Sequence, residues 1–260
     1  MKPKTKEKLK EITFKIQLII MIFFMSLIKT QAQKIKYGTV KDIDGNVYKT
    51  IIVGDVEWMV ENLATTRLND GTPIKLIESA EGYAKNKNIA NFSWYNYDKA
   101  TYANPYGALY NWYAVNTTKL CPVGWRVPDN IDWRWLISSL GGKKVAGGKL
   151  KDKGIKYWTS PNTGGINEIG FTALPGGYLS FNGQFVELGI NGYWWSMDMI
   201  EKQANKYNST TGNFEVQSVN VFYEKAWCYK INNEVEKIKK GGGYRFFGLS
   251  VRCVRYNFQK

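Results

Sequence analysis

The segment DNIDWRWLISSLGG limits the folds open to this chain more than any other. Asp129 stands at a helix N-cap position, with Asp132 three residues on. Trp133, Leu136, Ile137 and Leu140 then recur at i, i+3, i+4 and i+7, which makes one apolar stripe. Gly141-Gly142 ends the helix. No other segment carries that period so clearly, and VAGGKLKDKG reads as a short helix or turn. From Tyr157 onward, short apolar runs are broken by TSPNTGG, LPGG, FNGQ and GING. One or two short helices among strands and long ordered loops is an α+β pattern.

The strands are read from turns and alternation. Asp44-Gly45 and Gly54-Asp55 separate runs rich in Val, Ile and Tyr, which predicts a meander. Val56, Trp58 and Val60 alternate with Glu57, Met59 and Glu61, so one face of that strand is expected to be buried. Leu249, Val251 and Cys253 alternate with Ser250 and Arg252 in a terminal strand whose buried face includes Cys253. Residues 64–105 read as polar and irregular, their closing aromatic run as loop followed by a short strand or helix, and Tyr110, Trp112 and Val115 as core.

The chain opens with a lysine-rich stretch, an apolar run from Gln17 to Ile28 and the sequence Thr30-Gln31-Ala32. That is a secretory leader pattern over residues 1–32, with Gln33 beginning a single mature domain, 33–260. The run is shorter than the roughly 18–20 residues of a spanning helix, so no stable membrane span is expected after cleavage. Losing the leader lowers the formal charge by five, from +14 to +9. The remaining lysines are scattered, which does not suit nucleic acid. Localisation is therefore expected to be outside the cytoplasm, through the general secretory pathway.

The chain has no histidine, which removes Ser-His-Asp and Cys-His catalysis and ordinary zinc sites. DIDGN spaces Asp42, Asp44 and Asn46 like a calcium loop, but Gly45 falls fourth instead of sixth and Val53 stands in the closing Glu position. A hairpin turn is the reading. Three cysteines, Cys121, Cys228 and Cys253, remain in an oxidising compartment. Cys121 with Cys253 is the preferred pair, Cys228–Cys253 competes with it, and a free Cys228 reads as a buried thiol on a strand.

Together, DIDGNVYKTIIVGDVEWMVENL, YGALYNWYAV, LCPVGWRVPDNIDW, VAGGKLK, GFTALPGGY, GYWWS and GLSVRCVR resemble the Fibrobacter succinogenes major paralogous domain family, over about residues 39–256. The resemblance implies a secreted bacterial protein with a C-type-lectin-like fold of twisted antiparallel sheets. It also implies the Cys121–Cys253 bond. The sequence departs from the family pattern in Asp132 for Glu, Leu249 for Phe, a long insert after YWWS, and Cys228.

The expected function is a secreted binding module for a glycan or cell-surface protein, without catalytic activity. Flat rings suited to sugar faces near long loops are Trp194, Trp195, Trp227, Tyr229 and Tyr244, with Arg245 as a charged donor. A core role competes for Trp194 and Trp195. No cofactor is called for, although calcium stays open. The alternative is a structural or self-assembling surface protein. A carbohydrate-active enzyme would need two converging carboxylates, for which Glu168, Glu187, Asp198 and Glu201 are available.

Overall fold

Gly45 and Gly54 adopt φ of +90° and +61°, and each reverses the chain where a turn is predicted. The strands they join, β1 (Gly38–Lys41), β2 (Val47–Val53) and β3 (Val56–Met59), form an antiparallel meander. The last strand, β14 (Val254–Tyr256), pairs with β3, so both ends of the domain lie in one sheet. In this computed structural model the described residues are 12–17, 35–200, 203–208, 213–218 and 225–257. They fall in two units, Met1–Ile35 and Lys36–Lys260. In the first unit residues 12–17 are helical, and the remainder of the expected leader lies outside the described residues. Among the described residues no helix is long and apolar enough to cross a membrane.

The second unit is a mixed α+β structure. A three-stranded antiparallel sheet has the order β13 (Ile238–Tyr244), β12 (Lys225–Asn232), β9 (Asn191–Met199). Three smaller pairings complete it: β4 (Lys75–Leu76) with β5 (Asn91–Ser93) and β6 (Leu109–Tyr110), β7 (Gly176–Leu179) with β8 (Phe185–Leu188), and the hairpin β10 (Gln203–Asn208) with β11 (Asn213–Ser218). The β4–β5 pair is parallel, a departure from the all-antiparallel expectation.

Helices are also more numerous than one or two: α1 (Ala80–Asn86), α2 (Lys99–Tyr106), α3 (Trp112–Val115), α4 (Asn130–Ser139) and α5 (Ala146–Leu150). Helix α2 and the short strands in the aromatic run fit the expectation there, whereas α1 lies in the part read as irregular. The caps of α1 and α2 are ordinary: Ser79 accepts from Gly82 N at 3.0 Å and Asp98 from Thr101 N at 3.1 Å. Their apolar stripes are missing, since α1 buries Tyr83 alone and α2 buries nothing, so periodicity could not reveal them.

Helix α4 begins as expected and is tied down twice. Asp129 accepts from the backbone of Ile131 and Asp132, and Asp132 returns a bond to Asp129 N at 2.8 Å, a complete capping box. The same Asp132 carboxylate receives both arms of Arg126, at 2.6 and 2.9 Å. Arg126 in turn exchanges backbone hydrogen bonds with Val254 at 2.9 and 2.8 Å. Cys121 is bonded to Cys253, and Cys228 is free and buried. The stretch from Cys121 to Asp132 is therefore a clasp that joins the helix to the end of the chain.

Two alternation readings need correction. Glu57 and Met59 are buried along with Val56 and Trp58, because β3 is central in its sheet and covered on both faces. Glu57 is held there by Thr50 Oγ1 at 2.5 Å and Arg255 Nε at 2.7 Å. Ser250 and Arg252 are buried as fully as Val251 and Cys253, and regular pairing begins only at Val254. Arg252 donates from Nε to Asn62 Oδ1 at 2.9 Å, from Nη1 to the Phe171 carbonyl and from Nη2 to the Thr172 carbonyl.

Trp133 is the centre of the aromatic core. Its ring lies 5.1 Å from Trp58 on β3, 6.5 Å from Trp194 on β9 and 6.4 Å from Phe171, and it stacks on Tyr229 of β12 at 4.6 Å. The predicted core residues Tyr110, Trp112 and Val115 are buried as well. Because the disulfide spans 132 residues, its loss restores much chain entropy to the unfolded state. The double substitution Cys121→Ser with Cys253→Ser is expected to cost about 2–5 kcal/mol, read as a lower guanidinium midpoint. Reductant should reproduce that shift in the wild-type chain and leave the variant unchanged.

Candidate functional site

The strands that carry the predicted contact residues divide them into two groups. Trp194 and Trp195 are fully buried, on opposite faces of β9. Trp194 donates its indole N–H to Asn62 Oδ1 at 2.9 Å, and Trp195 to the Tyr110 carbonyl at 2.8 Å. Tyr229 lies beneath α4 with its hydroxyl 3.1 Å from Asn130 Oδ1. These three are core residues and drop out as ligand contacts. Both faces of β9 and the middle of β12 are covered, which alternation alone cannot reveal.

Trp227 near the start of β12, Tyr244 at the end of β13 and Arg245 just after it are all half-buried. Lys225 pairs with Tyr244 across the strands, and its ammonium sits 4.5 Å above that ring. Trp227 pairs with Gly242 across the strands, and the Lys240 ammonium lies 3.8 Å from the centre of its ring. Burial pulls the Lys240 ammonium below its ordinary value. Arg245 turns to the Tyr113 ring at 5.0 Å. Its Nε is buried without a hydrogen-bond partner among the described residues.

Tyr244 also begins a run of rings that the sequence reading missed. It stacks on Phe246 at 5.3 Å and meets Phe247 at 5.3 Å; Phe247 meets Tyr178 at 5.4 Å, and Tyr178 meets Tyr193 at 5.1 Å. All five are half-buried. Ammonium groups flank the run, with Lys87 5.4 Å from Phe246 and Lys230 5.1 Å from Tyr193. Burial, and then its bond to Glu187, raises the Tyr193 hydroxyl, which stays protonated and donates to that carboxylate at 2.5 Å. RFFG and GGY hinted at the run, because aromatics beside glycines in strand ends and turns need not be core. Their meeting required three separate strands and a turn. Trp135 on α4, 68 % exposed, was also passed over.

The carboxylates considered for catalysis are each engaged locally. Glu168 pairs with Lys149 at 3.0 Å. Glu187 accepts from Asn191 and Tyr193, and Asp198 accepts from Asn130 N at 2.6 Å. Glu201 lies outside the described residues. In the DIDGN turn, Asp42 accepts from Asp44 N, Asn46 and Tyr48, while Asp44 accepts from Thr66 and Arg67. Protein donors thus occupy oxygens that a cation would need. Among the described residues no three His, Cys, Asp or Glu side chains converge as a metal site.

A family model described as the Fibrobacter succinogenes major domain matches residues 51–255. No curated protein and no solved structure matches the chain.

The division between core and surface rings has a direct consequence. Trp194→Ala is expected to cost about 3–5 kcal/mol of stability, whereas Trp227→Ala should stay within about 1 kcal/mol, both read from urea unfolding. Equal losses would contradict the division. Burial pushes the Cys228 thiol up to about 12, so the folded chain should not react with a thiol reagent such as DTNB at neutral pH. One equivalent should react after unfolding in urea.

Proposed function

Since the chain belongs to the Fibrobacter succinogenes major domain family, we propose that it is an exported binding module that holds an extended acidic glycan along the ring run from Tyr193 to Phe246. The observation that carries this reading is the run itself: five half-buried rings in continuous contact, with lysine ammoniums at Lys87, Lys225 and Lys230. Sugar rings present apolar C–H faces that stack on aromatic faces, and carboxylate or sulfate substituents would meet the ammoniums. The charge of +9 left after removal of residues 1–32 adds long-range attraction for such a polymer.

Export rests on the leader pattern, and the buried Cys121–Cys253 bond supports an oxidising destination. N-terminal sequencing of the exported protein should begin at Gln33. Meeting of the chain ends in one sheet, with a bond from the last segment to the stretch before α4, supports a C-type-lectin-like arrangement. Local engagement of Glu168, Glu187 and Asp198 favours binding over hydrolysis.

Affinity electrophoresis of residues 33–260 through gels containing a polyuronate, or a neutral glucan as control, tests the reading. Retardation is expected in the polyuronate gel, and raised salt should weaken it. Tyr244→Ala with Phe246→Ala should lower affinity about tenfold or more, equivalent to about 1.4 kcal/mol. Free migration of the wild type in every gel would refute glycan binding and move the weight to self-assembly.

A further inference from the structure

A cleft lies elsewhere in the second unit. Tyr37 just before β1, Lys49 on β2, the turn after β3, the α2 C-terminus and the loops at Tyr157 and Thr172 line this open cleft of about 200 Å³. Tyr37 and Tyr157 stand at its rim and Pro105 along its wall. Glu61, Lys49 and the floor residue Arg252 supply its charged groups. None of them belongs to the ring run.

Size and charge together define the ligand. The cleft exceeds the roughly 150 Å³ that takes a benzene ring and falls short of the roughly 300–1,000 Å³ of a drug-sized pocket. It therefore suits one six-membered ring with small substituents. Arg252 is a buried guanidinium whose hydrogen bonds all go to neutral acceptors, Asn62 Oδ1 and the carbonyls of Phe171 and Thr172. Glu61 accepts only the backbone N–H of Lys49, at 2.7 Å, among the described hydrogen bonds, so its second oxygen is available. Lys49 extends past the Tyr37 ring, 5.6 Å from its centre. An anion would face Glu61, and a cation would face Lys49 and Arg252. An uncharged ring bearing hydroxyls satisfies all three, because each hydroxyl both donates and accepts. The tyrosine rims offer the flat faces that such a ring stacks on.

We infer that this cleft is a binding site for a single uncharged sugar residue, separate from the ring run. Glu61 accepts from its hydroxyls, Lys49 donates to them, and Tyr157 packs on its face. Arg252 acts as a positioning residue, anchoring the Phe171-Thr172 backbone that forms part of the floor.

Saturation-transfer NMR of residues 33–260 with a panel of free hexoses and pentoses, and with alanine as a zwitterionic control, tests the site. At least one sugar should saturate the protein at millimolar concentration. Glu61→Gln and Tyr157→Ala should each weaken it tenfold or more, with melting temperatures within a few degrees of wild type. Tyr244→Ala with Phe246→Ala should leave it unchanged, which separates this site from the ring run even if the polymer does not bind there. Overturning results are no saturation by any sugar, saturation by alanine instead, or sugar binding that both cleft variants retain.

Discussion

Trp133 joins three parts of the domain that have no covalent reason to meet. One ring on α4 touches Trp58 of the terminal sheet, Trp194 and Tyr229 of the three-stranded sheet, and Phe171 of the intervening loop. Its indole N–H has no hydrogen-bond partner among the described residues. The orphaned donor costs about 1–3 kcal/mol. Burying about 150–250 Å² of ring at about 25 cal/mol/Å² returns about 4–6 kcal/mol. Packing therefore wins, and the site tolerates the unpaired group.

The remaining constraints hold that hub in place. Asp132 serves the helix cap and the Arg126 fork at once, so the helix start and the chain end are positioned by one carboxylate. Two buried cations work similarly on loops. Lys151 donates to the carbonyls of Asn232, Asn233 and Val235, and Arg252 to those of Phe171 and Thr172. Backbone oxygens thus take the place of water around each charge, and irregular chain between strands acquires a defined path. Those paths carry the surfaces open to ligands.

Features set by neighbours in sequence were the legible ones. The α4 cap and stripe and the Gly45 and Gly54 turns follow from spacing, and the buried Tyr110 and Trp112 from the size of their rings. The short helices α1 and α2 left no stripe to detect. The same limit affected the site residues: Trp194, Trp195 and Trp227 look alike in sequence, yet the first two are fully buried and the third is only half-buried. The Phe246-Phe247 pair, Tyr178 and Tyr193 lie on separate segments, so the sequence did not show that they meet.

By itself the sequence determined the chemistry on offer: no imidazole, three thiols, an excess of lysine and many rings. It also determined the local conformations that capping, turns and periodicity dictate. Only the tertiary structure decided which cysteines met, which rings were buried, and that Arg252 would sit beneath a cleft. Those outcomes depend on which layers cover a residue from both sides. Coverage comes from segments far away in sequence, such as Asn62 and Arg252, and no local pattern records it.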